Sequence, residues 1–288
     1  MLEFNRKVAV ITGAAGGLGL ALARHAAGLG MRLVLADVDE AALARARDTL
    51  QSSGQGAHPV DVIVQRTDVS DPIQVDALAR TTLARHGAVH LLFNNAGVGA
   101  GGLIWENSPQ DYQWVFGVNV AGVLNGLRAF VPAMLAQGEG HIVNTASVAG
   151  LLAPPALGMY NASKHAVVGL TETLYHDLAL AGGRVHCSVL CPAYFDTGIA
   201  DSERTRPEAL RNTAAPTASQ LATLAQLHKA VKSGKLSADD IAALTFAAVR
   251  ENRFYILTHP AIAPAIAVRA EDLARARNPT DVYAPPLR

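Results

Sequence analysis

The chain has 288 residues, half of them apolar, with 24 basic side chains balanced by 24 acidic ones and a pI near 7.2. That length buries a substantial core, and the absence of a basic run removes the electrostatic footprint of a nucleic-acid binder. No uninterrupted apolar run approaches the roughly 20 residues a membrane-spanning helix needs, and Met1–Arg6 lacks the features of a signal peptide. The expectation is therefore a cytoplasmic protein with neither a nucleic-acid nor a membrane partner.

Seven short, β-branched runs read as strands: Lys7–Thr12, Arg32–Asp37, Val60–Thr67, Val89–Asn94, His141–Thr145, Arg184–Cys191 and Phe254–Thr258. Between them, Gly19–Gly28, Asp39–Gln51, Ile73–His86, Tyr112–Gln137 and Tyr160–Leu180 have helical character. The alternation predicts a doubly wound α/β fold of the Rossmann type, about seven parallel strands with helices on both faces. A single domain over residues 1–288 is expected. After the sixth strand, 194–236 carries no convincing strand and is interrupted by Pro207 and Pro216, which suits a partly helical substrate cover. Asn278–Arg288, with three prolines, reads as an extended tail. Cys187 and Cys191 fall in one strand, roughly 13 Å apart at about 3.3 Å per residue, too far to pair, and are read as buried structural thiols.

The first strand runs into Thr12-Gly13-Ala14-Ala15-Gly16-Gly17-Leu18-Gly19, and helical character follows at once. Gly13 permits a tight exit from the strand, Gly17 a close approach to a pyrophosphate, and Gly19 close packing of helix on sheet; Gly16 and Leu18 complete the loop. The spacing is not GxGxxG, and no Lys-Ser or Lys-Thr follows, which disfavours a nucleotide triphosphatase. Asp37 closes the second strand, where an acidic side chain accepts from the adenosine ribose hydroxyls and repels a 2′-phosphate. Val38 and the glycine turn supply no compensating cation, so NAD is favoured over NADP. Further candidates are Asp68, to accept from the adenine amino group, Val69, to pack on the ring, and the turn Asn95-Ala96-Gly97 after the fourth strand. A purely structural role as turn caps remains open for Asp68 and Asn95 taken singly.

Tyr160 and Lys164 share one helix face by their i,i+4 spacing. An ammonium beside a tyrosine stabilises its phenolate and lowers its pKa, which reversible proton exchange with an alcohol requires. Ser147, after the fifth strand, is placed to hydrogen-bond the reacting oxygen. Asn119 is polar where Ala, Val and Gly otherwise pack, and suits a water linking Lys164 to solvent. Histidines 141, 165, 176 and 186 are scattered, so no metal is expected.

In the order and spacing of Thr12–Gly19, Asp68-Val69, Asn94–Gly97, Asn119, Ser147, Tyr160–Lys164, Pro192 and Thr197, the chain resembles the short-chain dehydrogenase/reductase family over Arg6 to about Thr197, and more loosely to Leu273. The resemblance implies a catalytic tetrad of Asn119, Ser147, Tyr160 and Lys164, with Lys164 also holding the nicotinamide ribose. It places the nicotinamide carboxamide against Phe195 and Thr197, next to Pro192, and implies a homodimer or homotetramer built on the helices Tyr112–Gln137 and Tyr160–Leu180. Two departures stand out: Pro192-Ala193 where the family often has Pro-Gly, and Ala146-Ser147 where many members have Ser-Ser.

Val98, Val148, Leu151, Met159 and Tyr194 flank the reacting centre and favour a hydrophobic or aromatic secondary alcohol and its ketone. The competing readings are an NADPH-dependent carbonyl or 3-oxoacyl reductase, which Asp37 disfavours, and a non-catalytic NAD-binding protein, which the complete Ser/Tyr/Lys set disfavours.

Overall fold

The computed structural model describes residues 3–52 and 60–283. Seven parallel strands form one sheet: β1 (Val8–Thr12), β2 (Arg32–Asp37), β3 (Val62–Arg66), β4 (Leu91–Asn94), β5 (Gly140–Thr145), β6 (Val185–Cys191) and β7 (Tyr255–Leu257), in the order β3-β2-β1-β4-β5-β6-β7. The first crossover sends β1 to β2 on one side, and the chain then returns to place β4 on the other. A crevice therefore opens between the carboxyl ends of β1 and β4, where doubly wound sheets bind ligands.

Both faces of the sheet are covered because alternate strand residues point opposite ways. Ala9, Ile11, Leu33 and Leu35 pack with α1 (Gly17–Gly28), α2 (Glu40–Ser52) and α8 (Ala238–Arg250), through Leu22, Leu43 and Phe246. Val8, Val10, Val34 and Ala36 pack with α3 (Pro72–His86), α5 (Gly122–Gln137) and α6 (Gly158–Leu180), through Leu78, Phe130 and Leu178. Asp71 caps α3 by accepting from the Ile73 N–H, Pro72 takes the first helical position, and Gly87 ends the helix at φ 71°.

The expected helix Tyr112–Gln137 is two helices, α4 (Pro109–Phe116) and α5, joined by a π turn at Gly117–Ala121. Taken as one run, Pro109–Gln137 is long and apolar enough to cross a membrane, a property that residue-by-residue reading of apolar runs overlooks. Here it lies on the sheet, with Phe130 and Met134 in the core. Cys187 and Cys191 are buried free thiols, as read from their spacing. The tail past Tyr283 lies outside the described residues.

Residues 194–236 contain no strand; a 3-10 stretch (Gly198–Thr205), a short turn (Glu208–Leu210) and α7 (Ala218–Lys232) lie over the carboxyl end of the sheet. This cover is tied down by polar contacts. The Arg206 guanidinium, buried 4.9 Å from the Trp114 ring, meets Asp111 at 2.8 Å and Glu203 at 2.9 Å. Asp111 also accepts from the Ser108 N–H, closing the capping box that starts α4, and from Asn212. Burial opposes the Asp111 charge, but these hydrogen bonds and Arg206 outweigh it and hold its pKa below the ordinary value. At the other side, Glu106 accepts from Thr217 at 2.6 Å and from Ser219, fixing the start of α7.

Replacing Asp111 with Ala removes the buried partner of Arg206 and leaves it only the exposed Glu203 carboxylate. A loss of about 3–5 kcal/mol of stability is expected, read as a lowered thermal midpoint; an unchanged midpoint contradicts the assigned role.

Candidate active site

The glycine turn is shaped by close approach. Gly13 (φ 65°) packs so tightly that a Cβ there would stand 2.9 Å from the Ala96 Cα, and one at Gly19 would stand 2.0 Å from the Gly13 carbonyl oxygen. Gly17 (φ 50°) faces Thr197 near the start of the cover, whereas Gly16 opens onto free space. The result is a cradle at the N-terminus of α1, with backbone N–H groups and the helix dipole suited to a pyrophosphate. Asp37 lies at its side: one carboxylate oxygen accepts from the Ala15 N–H at 3.0 Å and the other from the Asp39 N–H at 3.1 Å. These contacts hold the carboxylate at the cleft, which it lines together with Val38. Asp68 accepts from the Ser70 N–H and hydroxyl, and it and Val69 line the same wall. A dinucleotide fits this donor set: a cradle for phosphates, an acid for ribose hydroxyls and an apolar wall for a base.

Asn95 serves the structural role left open for it. Its side-chain amide donates to the Thr12 carbonyl at 3.0 Å, and the Thr12 hydroxyl accepts from the Asn95 and Ala96 N–H groups. The side chain thus stitches β1 to β4, and Asn95 lines the cleft together with Ala96 and Gly97. Thr12, read only as the first letter of the glycine motif, is the other half of that stitch.

Tyr160 and Lys164 occupy one face of α6, with the Lys164 Nζ 5.7 Å from the Tyr160 ring centroid. Lys164 is buried and donates to the Thr145 carbonyl at the end of β5 at 2.8 Å. Ser147 follows β5; its hydroxyl accepts from the Ala149 N–H and donates to the Pro192 carbonyl at 3.4 Å, linking the ends of β5 and β6. Asn119 sits in the π turn, buried: Oδ1 accepts from the Val98 N–H, and Nδ2 donates to the Val98 carbonyl and to Ser163. These bonds clamp the β4 loop to α6. Ser163 completes that clamp by donating to the Tyr160 carbonyl at 2.8 Å. Sequence reading passed over Ser163 because a serine inside a helix carries no signal of its own. A second buried chain, Asn94 to Asn144 to Thr171, ties β4, β5 and α6 together and was equally silent.

The charge balance at Tyr160 also differs from expectation. Burial pushes its phenol up to about 12, and the Ser147 hydroxyl offsets this only in part. Burial likewise brings Lys164 down to about 8. In the free protein burial therefore keeps Tyr160 as the neutral phenol at neutral pH.

A cavity of about 640 Å³ joins the glycine turn, Ser147, Tyr160 and the underside of the cover. Val98, Val148 and Tyr194 line it as expected, and Pro192, Phe195 and Thr197 border it. Leu151 and Met159 do not: Leu151 packs with Val123 and Val168, and Met159 with Trp114 and Val115. Their places are taken by cover residues, Ile199, Leu210, Leu221, Leu224 and Leu227, which spacing from Tyr160 could not reveal. Among the described residues no group of three or more His, Cys, Asp or Glu gathers to hold a metal ion.

The family model for the short chain dehydrogenases matches residues 7–208, and the chain belongs to that family. It is an oxidoreductase of the short-chain type. A crystal structure of a short chain dehydrogenase/reductase from Burkholderia phymatum in complex with NAD superimposes with a TM-score of 0.96 at 64% identity, covering 99% of this chain and 100% of that one. The CLA biosynthesis dehydrogenase/reductase of Lactiplantibacillus plantarum is 35% identical over 274 residues, 94% of each chain. The C alpha-dehydrogenase of Sphingobium sp. is 33% identical over 264 residues, 91% of this chain and 83% of that one.

The high phenol pKa can be read directly. The ultraviolet difference spectrum between the ligand-free protein and Tyr160→Phe is expected to show no phenolate signal from this residue at pH 10, the ordinary tyrosine value. Phenolate at neutral pH would contradict the desolvation argument.

Proposed function

We propose that the protein interconverts an apolar secondary alcohol and its ketone using NAD, with Tyr160 as the general acid/base. The observation that carries this reading is the convergence of Tyr160, Ser147 and the glycine cradle on one apolar cavity. The NAD complex of the Burkholderia phymatum relative supports the choice of cofactor, and the Asp37 carboxylate held at the ribose position supports NAD over NADP.

When bound, the nicotinamide supplies the hydride acceptor or donor. The chain supplies the rest. Ser147, fixed by the Pro192 carbonyl and the Ala149 N–H, hydrogen-bonds the substrate oxygen and orients it toward Tyr160. In ketone reduction the neutral Tyr160 phenol, the form burial favours, donates its proton to that oxygen. In alcohol oxidation Tyr160 must take the proton, and the Lys164 ammonium beside it favours the phenolate that does so. Lys164, anchored on the Thr145 carbonyl, is also placed to hold the nicotinamide ribose. Asn119 and Ser163 keep α6 and the β4 loop in register.

Substrate choice follows from the wall. Val98, Val148, Leu157 and the leucines of α7 offer an apolar surface to whatever lies beyond the reacting carbon. That wall suits an aryl, alicyclic or long-chain substituent better than a sugar.

The test is NADH formation, followed by absorbance, with panels of lipophilic or aryl secondary alcohols, sugars and small hydroxy acids, each with NAD and with NADP. Activity confined to the lipophilic panel with NAD is expected. Turnover of sugars alone would overturn the substrate reading, and equal use of NADP would overturn the cofactor reading.

A further inference from the structure

The cover crosses the cleft at its adenosine end as well as over the substrate. Thr197 starts this crossing: its Cβ would lie 3.6 Å from a Cβ added at Gly17 in the phosphate cradle. The 3-10 stretch Gly198–Thr205 then carries Arg204 across to the corner between β2 and α2, where its guanidinium meets the Asp39 carboxylate at 3.1 Å. Asp39 follows Asp37 by two residues, and its own N–H is the donor that holds one Asp37 oxygen. Arg204 lines the same cavity as Gly16, Gly17, Asp37 and Val38. A cation therefore stands at the Asp37 side of the cleft, engaged by a carboxylate two residues from Asp37.

We propose that Asp39 is a second determinant of cofactor choice, acting by keeping the Arg204 guanidinium paired and so withholding it from a 2′-phosphate. Asp37 repels the phosphate directly; Asp39 removes the cation that would offset that repulsion. The pair is partly solvated, with the Arg204 side chain 56% and the Asp39 side chain 30% exposed. Freed from Asp39, the guanidinium keeps its reach and its charge, and Arg is well suited to bind phosphate. This inference rests on the reading of the cleft as an NAD site.

Two variants break the same ion pair and leave opposite residues behind. Asp39→Asn keeps an oxygen to accept from the Ala42 N–H, as Asp39 Oδ1 does, and so preserves the start of α2 while freeing Arg204. Arg204→Ala removes the cation. Affinities of NADH and NADPH are measured by fluorescence titration without any alcohol, so the outcome is independent of substrate. Asp39→Asn is expected to shift the NADPH to NADH affinity ratio about three- to fivefold toward NADPH, the scale of an exposed ion pair, with the gain shrinking as salt is raised. Arg204→Ala and the double variant are expected to show no such gain. If the double variant gains as much as Asp39→Asn, the effect is the Asp39 charge alone and the proposal falls; it falls also if Asp39→Asn leaves the ratio unchanged. Failure of the wild-type protein to bind NADH at all would instead overturn the cofactor reading itself.

Discussion

The site depends on one stitch between two strand ends. Where β1 and β4 meet, the Thr12 hydroxyl accepts from two successive N–H groups of the β4 loop, and Asn95 returns a hydrogen bond to the Thr12 carbonyl. Parallel strands that diverge toward different crossovers would otherwise leave these backbone groups unpaired in a crevice. The stitch satisfies them and brings Gly13 against Ala96. It also fixes the loop holding Gly97 and Val98, which Asn119 then clamps to the helix carrying Tyr160 and Lys164. Cofactor cradle and acid/base pair thus share one rigid frame, with only the cover resting on it from outside.

The tension within that frame is electrostatic. A half-buried phenol and a buried amine each disfavour their charged forms, so the free protein rests with Tyr160 neutral and Lys164 brought down to about 8. Such a pair is held ready rather than permanently ionised. Over this pair the cover adds an apolar wall from Ile199, Leu221, Leu224 and Leu227.

The parallel strands and both helical layers were legible in the sequence because β-branched runs alternated with helical segments at crossover spacing. The glycine turn, Asp37, Ser147 and the Tyr160–Lys164 pair were legible as neighbours at the carboxyl end of the sheet because each follows a strand end or opens a helix there, and they line one cavity. What sequence hid was partnership. The sequence leaves open whether the Asn95 amide ties strands, since spacing cannot tell which of several nearby backbone groups an amide will choose. Ser163, Asn144 and Thr171 are polar residues inside regular elements, and their role exists only once β4, β5 and α6 are packed. Leu151 and Met159 flank Tyr160 and Ser147 in sequence yet turn into neighbouring apolar clusters, while the pocket wall comes from α7, some sixty residues further on. The π turn at Gly117–Ala121, which sets where Asn119 points, leaves no compositional mark.

The central claim is that the Tyr160 hydroxyl moves the proton while the rest of the site binds and orients. The most direct measurement compares turnover and NADH affinity in Tyr160→Phe with the parent protein. The account predicts turnover lower by about 10²–10⁴-fold, the usual worth of a positioned general acid/base, with NADH affinity nearly unchanged. Retained turnover, or a loss that merely follows lost NADH binding, would contradict it.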